Sequence, residues 1–188
     1  MREIVQDGAP VLREVATPVP DSWFGSAKLE KLVADMAEAL AQEPDGVALA
    51  APQVGESLRL FIVRVDRTIP APLNAPQSGA SGLLSAGPRV LVPEVEVYAN
   101  PQIRKTSRRR MRADEGCLSV RGVYGAVNRH ERVTLSARRP DGRHFTRGAG
   151  GLLAQIFEHE VDHLNGVLFT DGAENVVKIK HSEHEPIT

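Results

Sequence analysis

The chain has one cysteine, Cys117, and few aromatic residues, with phenylalanine, tryptophan and tyrosine together making 4%. A lone thiol excludes an intrachain disulfide, so Cys117 reads as a buried thiol, a nucleophile or a metal ligand. A reducing, cytoplasmic setting is the expectation that goes with it. With aromatics scarce, aliphatic side chains must fill the core. No uninterrupted apolar run is long enough to span a bilayer, and the opening Met1-Arg-Glu-Ile-Val-Gln-Asp-Gly lacks the apolar stretch of a signal peptide. Charge of one sign is lacking too. The formal net charge is -1, which gives no reason to expect DNA or a membrane as a partner.

What is present is ordinary for a globular protein: 41% hydrophobic and 25% charged residues over a length of 188, enough for a single domain with a sizeable core. No internal repeat is visible. Residues 2–20 read as extended and turn-rich, because Pro18 and Pro20 exclude a regular helix. From Ser26 to about Gln42 the spacing of Leu29, Leu32, Val33, Met36 and Leu40 predicts an amphipathic helix, with Ser26 as its cap and Pro44 beyond its end. Gly46-Val-Ala-Leu-Ala-Ala-Pro-Gln53-Val-Gly55 packs small residues between two glycines, a composition suited to close backbone approach. Gln53 is its one polar side chain, an amide donor able to face a cleft.

Leu58–Asp66 is dense in β-branched residues and reads as a strand. Residues 68–89, rich in Pro, Gly, Ala and Ser, read as a long surface loop inside the domain. Strands are expected near Leu91–Ala99 and Gln102–Met111, broken by Asn100-Pro101. Arg108, Arg109, Arg110 and Arg112 form a basic run, which reads as a solvated or salt-bridged strand end in preference to an RNA or ribosome contact, given the near-zero net charge. Arg132–Arg138 and His144–Arg147 suggest a hairpin around Asp141-Gly142. Glu115 and Arg129 are expected to pair across strands of one sheet. Residues 173–188 read as a polar tail, in which His181 and His184 belong to a frayed end.

The most informative stretch runs from Gly151 to Gly166. Leu152, Ile156 and Phe157 are spaced for a helix, and Asn165-Gly166 marks its end. Within it lies His159-Glu160-Val161-Asp162-His163. Histidines four apart stand one above the other on a helix face and can reach one metal ion, and Glu160 is placed to handle the proton of an activated water. Cys117 is the expected third ligand, since thiolate and imidazole both suit a borderline transition metal. Two imidazoles and one thiolate leave a fourth tetrahedral position open. An ion so held is a softer Lewis acid than one on three imidazoles, and calls for fixed donors to a developing oxyanion. The Gln53 amide and the backbone N–H of Leu118 are the candidates. Leu152, Gln155 and Ile156 lie seven, four and three residues before His159, share its face, and are expected to line a side-chain pocket.

Three segments together resemble peptide deformylase: Gly46-Val-Ala-Leu-Ala-Ala-Pro-Gln53, Glu115-Gly-Cys-Leu-Ser119 and His159-Glu-Val-Asp-His163. Ile4-Val5, Pro10-Val-Leu-Arg13 and Pro18-Val19 are similar to the family's opening. The resemblance implies an α+β fold with antiparallel sheets packed around a central metal-binding helix. It implies removal of the formyl group from the initiator N-formylmethionine of nascent polypeptides, with release of formate. By matching positions, Cys117, His159 and His163 would hold one divalent ion, Fe(II) physiologically with zinc, nickel or cobalt as substitutes. Glu160 would be the general acid/base, and Gln53 and Leu118 N–H would bind the oxyanion. Gly46 would offer a backbone group to the peptide, with Val47 and Gly116 beside it, and a transient ribosome contact would be in keeping. Ala48 departs from the family's usual glycine and Glu158 from its usual glutamine. Two rival functions are an H-E-x-x-H metallopeptidase drawing its third ligand from His181 or His184, and a non-catalytic ribosome-binding relative, which ought to have lost the motifs that this chain retains.

Overall fold

The computed structural model describes residues 2–68 and 94–179. Its first regular element is α1 (Ala27–Ala41), whose N-cap Ser26 accepts a hydrogen bond from the Leu29 N–H at 3.4 Å. The strands β1 (Ala48–Ala50) and β2 (Leu60–Arg64) follow, and β2 runs directly into the short helix α2 (Val65–Thr68). After it come β3 (Val95–Thr106), β4 (Arg110–Cys117), β5 (Val120–His130), β6 (Arg132–Arg138), β7 (His144–Gly150), the helix α3 (Leu152–Leu164) and β8 (Glu174–Lys178). A five-stranded antiparallel sheet has the order β1-β2-β3-β6-β7, and a three-stranded one the order β4-β5-β8.

The larger sheet is covered by a helix on each face. Side chains alternate along a strand, so β2 sends Leu60 and Ile62 to one side and Phe61 and Val63 to the other. The first pair packs with Leu29, Leu32, Met36 and Leu40 of α1. The second joins Tyr98, Leu135 and Ala137 against Ala154, Ile156, Phe157, Val161 and Leu164 of α3. Burial on both faces explains why β2 reads as an unbroken apolar run. Scarce aromatics are concentrated where α3 sits. Phe61 stacks on Tyr98 with centroids 4.7 Å apart, and Phe157 meets Tyr98 edge-on at 5.0 Å. Phe157 is two residues from His159, so this cluster fixes the rotation of the helix that carries the motif.

The structure corrects several expectations. Asn100-Pro101 does not separate two strands; β3 passes through it with a register shift between Ala99 and Gln102. Asn100 takes a left-handed φ of 50, and its amide exchanges two hydrogen bonds with the backbone of Val19 at 2.7 and 3.0 Å, so the bulge is stabilised by a side chain that would otherwise signal a turn. Residues 173–188 are not simply a polar tail, because Glu174–Lys178 form β8 on the edge of β5. Every residue of β8 is exposed, so no apolar alternation could announce it. β7 runs on through Gly148–Gly150, past the Arg147 at which the expected strand ended. The β6–β7 hairpin around Asp141-Gly142 is as expected, with Gly142 at φ +87. Beyond Thr68, which ends α2, the expected 68–89 loop lies outside the described residues, as do 91–93 and the tail with His181 and His184. No helix among the described residues is long and apolar enough to cross a membrane.

Candidate metal centre and active site

Cys117 closes β4 and His159 and His163 project from α3, and their ligand atoms all lie within 4.8 Å of one another. Cys117 Sγ is 3.2 Å from His163 Nε2. One sulfur and two imidazole nitrogens around a tetrahedral ion stand about 3.5 Å apart, so the Cys117–His163 pair is near that spacing and His159 is close enough to complete the set. The sulfur also faces N–H donors, the Ser119 backbone at 3.4 Å and the Gln53 amide at 3.5 Å, which suits a thiolate.

The ring orientation of His159 is set from behind. Its Nδ1 lies 2.9 Å from Glu115 Oε2, leaving Nε2 for the ligand role, an arrangement that metal-binding histidines favour. Glu115 in turn is held by Arg129, through Nε at 2.8 Å and Nη2 at 2.9 Å, and Arg129 Nη1 reaches Asp162 at 2.6 Å. The expected Glu115–Arg129 pair is therefore present, and it ties β4 and β5 to α3. Burial opposes the Glu115 charge, but the Arg129 guanidinium and His159 hold its carboxyl down to about 2. His163 is almost wholly buried, and burial pushes its imidazole well below the usual value, which favours the neutral ligand form.

Glu160 is 4% exposed, and its Oε2 has no partner among the described residues. Burial pushes its carboxyl up to about 7. An unpaired buried carboxylate oxygen is costly and fits a group that receives a proton from a reactant. The other carboxylates of the helix are committed. Asp162 binds Arg129, and Glu158 accepts from both the His130 N–H at 2.7 Å and His130 Nδ1 at 2.6 Å.

Gln53 sits on a short helical turn (Ala51–Val54) and is 2% exposed. The Ala50 N–H donates to its Oε1 at 2.8 Å, which turns the amide NH2 toward Ser119 Oγ at 3.2 Å and the Cys117 sulfur. Leu118 lies on the turn joining β4 to β5. The N-terminal segment props both groups from behind. Val5 N–H donates to the Gln53 carbonyl at 2.9 Å, Asp7 N–H to the Ser119 carbonyl at 2.7 Å, and the Gln6 amide to the Leu118 carbonyl at 3.0 Å.

These groups line a cleft of about 590 Å³, with residues 43–48 on one wall, 114–124 on another and the first turns of α3 on a third. Gly46, Val47, Gly116, Leu152, Gln155 and Ile156 all face it. Two of them are glycines for reasons of packing. A Cβ on Gly46 would come within 2.7 Å of Leu40 Cδ1, and one on Gly116 within 2.9 Å of the Tyr124 ring. Gly46 already donates its N–H to the Glu43 carbonyl at 3.0 Å and accepts from Arg67 at 3.1 Å, so its second carbonyl lone pair is what it retains for a ligand. Gln155 donates to the Asp114 carbonyl at 3.1 Å, which ties α3 to β4. Ala48 lies in regular β1 without a positive φ, and its methyl joins the apolar cluster beneath α3. Sequence reasoning did not single out Ser119, the fully buried acceptor for Gln53, nor the Asp162 and His130 partners. Ser119 beside the lone cysteine was the one visible signal.

A family model described as polypeptide deformylase matches residues 1–178. A peptide deformylase of Symbiobacterium thermophilum is 38% identical over 183 residues, covering 97% of this chain and 71% of its own. Peptide deformylase 2 of Pseudomonas putida is 34% identical over 183 residues, covering 97% of this chain and 93% of its own. Among solved structures, the Met-Ala-Ser-bound class I type b peptide deformylase of Acinetobacter baumannii matches with a TM-score of 0.72 and 31% identity, over 90% of this chain and 96% of that one.

Proposed function

The chain belongs to the polypeptide deformylase family, metal-dependent hydrolases that remove the N-formyl group from nascent polypeptides, and from that premise we propose the roles of its residues. Cys117, His159 and His163 hold the ion, Glu160 carries the proton, and Gln53 and Leu118 N–H receive the oxyanion. The observation that carries this reading is the gathering of the three ligand atoms, with Glu160, whose Oε2 has no partner among the described residues, lining the same cleft. A divalent ion held there supplies Lewis acidity toward the formyl carbonyl and acidifies a water molecule.

Glu160 takes one proton from the attacking water as its oxygen bonds to the formyl carbon. Negative charge then develops on the former carbonyl oxygen, and the Gln53 NH2, aimed by the Ala50 N–H, and the Leu118 N–H donate to it. An amine leaves poorly unless protonated, and Glu160 has just gained a proton. It returns that proton to the nitrogen as the C–N bond breaks, so one carboxylate acts as base and then as acid. The products are formate and a free N-terminal methionine.

The methionine side chain occupies the pocket formed by Leu152, Gln155 and Ile156, where an unbranched thioether adapts well, and Gly46, Val47 and Gly116 flank the peptide backbone. The mixed sulfur and nitrogen donor set suits a borderline first-row ion, Fe(II) in the cell, with zinc, nickel or cobalt able to replace it. The same reading treats residues 1–188 as one catalytic domain working in the cytoplasm, where it meets the ribosome transiently. The test is formate release from formyl-Met-Ala-Ser by anaerobically purified protein of measured metal content, against cleavage of the unblocked peptide. Formate without peptide-bond cleavage is expected. Cleavage of the unblocked peptide, or metal-loaded protein that releases no formate, overturns the assignment.

A further inference from the structure

Against the expectation that the basic run is a solvated or salt-bridged strand end, we infer that the corner joining the two sheets is a docking surface for the phosphate backbone of RNA. Between Arg104 and Arg112 the chain carries Arg104, Lys105, Arg108, Arg109, Arg110 and Arg112 and no acidic residue. All six are exposed. They span the end of β3, the connecting turn and the start of β4. The turn is pinned beside Arg132, also exposed, because Ser107 N–H donates to the Arg132 carbonyl at 2.9 Å and Ser107 Oγ accepts from the Arg132 N–H at 3.1 Å. Seven cations thus share one corner, although the chain as a whole has a net charge of -1.

Elsewhere most described arginines pair with carboxylates, while Arg59, Arg67 and Arg139 rest on neutral acceptors or an aromatic ring. Arg2, Arg13, Arg64, Arg121, Arg129, Arg138, Arg143 and Arg147 each have a carboxylate partner. At the corner only Arg109 does, with Glu131 at 3.6 Å and an arginine side chain 82% exposed. Arg104 and Arg110 are steadied by the neutral acceptors Ser136 Oγ at 2.7 Å and the Asn128 carbonyl at 2.9 Å. Among the described residues the remaining charge is uncompensated, which raises self-repulsion and is relieved by a polyanion. Six of the seven cations are arginines, whose planar forks match phosphate oxygens. Met111 is the one apolar residue between Arg104 and Arg112, and it is half-buried, so the corner offers nothing to insert into a bilayer. That favours RNA over an anionic membrane.

Position supports the same reading. Arg110 and Cys117 are the two ends of β4, and at strand rise they stand about 23 Å apart. RNA held at the corner leaves the cleft open to a peptide.

The test uses the full-length, metal-loaded protein with a fluorescein-labelled single-stranded RNA 20-mer and a labelled RNA hairpin, read by fluorescence anisotropy. Three or four phosphate contacts give a loss of affinity between 50 and 200 mM salt of about 20- to 50-fold for the single strand and about 40- to 150-fold for the duplex stem. The triple variant R108E/R109E/R110E is expected to weaken binding at least tenfold and flatten the salt slope, whereas R143E, an exposed arginine away from the corner, is not. Formate release from formyl-Met-Ala-Ser is measured on the same samples, so loss of the active-site reading and loss of this one register separately. No RNA binding at 50 mM salt, or binding that the triple variant leaves intact, overturns the inference. So does binding to vesicles containing phosphatidylserine in the absence of RNA binding.

Discussion

Replacing Arg129 with alanine tests the bracing of the metal centre most directly. The guanidinium is 6% exposed and contacts three carboxylate oxygens, two on Glu115 and one on Asp162. Alanine strands the Glu115 carboxylate, 4% exposed, with His159 as its remaining partner. Breaking a buried pair in this way costs about 3–5 kcal/mol. The Asp162 side chain is 32% exposed, so its share is at the low end, about 0–1 kcal/mol. Against a typical total of about 5–15 kcal/mol, the loss is a large fraction of stability. In urea, with a slope of about 2–3 kcal/mol per molar, it lowers the midpoint by about 1–3 M. Circular dichroism on metal-free protein isolates this effect from metal binding. A second readout is chelator competition, where loosening the carboxylate behind His159 is expected to weaken metal binding about 10- to 100-fold. Arg129→Lys should recover part of both, because it restores charge without the fork. The double variant Arg129→Met/Glu115→Gln should be more stable than Arg129→Ala, because it removes the buried Glu115 charge and leaves only the partly exposed Asp162 without its arginine. An Arg129→Ala protein within 1 kcal/mol of its parent and equally avid for metal would refute the bracing role.

Cys117→Ser exchanges a soft thiolate for a hydroxyl, and metal analysis should find binding of soft ions at least tenfold weaker; retained metal and activity would mean that the site is misassigned. Glu160→Gln keeps the shape and removes the base, so kcat is expected to fall on the order of a hundredfold or more with metal still bound and KM little changed. A near-parental kcat would count against Glu160, and the committed partners of Glu158 and Asp162 leave no ready substitute. Ile156→Phe narrows the proposed methionine pocket and should raise KM for formyl-Met peptides more than for formyl-Ala peptides, an outcome that equal effects on both would contradict.

Local signals carried most of what the sequence revealed. The helix around His159 and the helix capped by Ser26 were legible because each buries one periodic face, and the β6–β7 hairpin because Asp141-Gly142 supplies the turn. The grouping of Cys117, His159 and His163 was legible through residue chemistry, two histidines four apart and the only thiol. What stayed hidden depends on partners distant in sequence. β8 has no apolar alternation to read, since its stability comes from hydrogen bonds to β5. Asn100-Pro101 looks like a break until Val19 is placed against the asparagine amide. That Asp162 shares Arg129 with Glu115, or that Glu158 takes both the ring and the N–H of His130, follows from how α3 lies across the sheets, which spacing alone does not specify.

The N-terminal segment behind Gln53 and Leu118 has a consequence for the timing of synthesis. Val5, Gln6 and Asp7 are made first, yet their partners include Leu118 and Ser119, more than a hundred residues later, and the ligand His163 comes later still. Val5 can find the Gln53 carbonyl early, but a growing chain cannot seat Gln6 and Asp7 until Leu118 and Ser119 have been made. Closing so long a loop costs entropy that only the completed sheets and α3 repay. Unfinished chains therefore have a first wall of the cleft without its backing or its metal helix. The backing of Leu118 and Ser119 by Gln6 and Asp7 is a late addition to the fold, possible only once β4 and the turn after it exist.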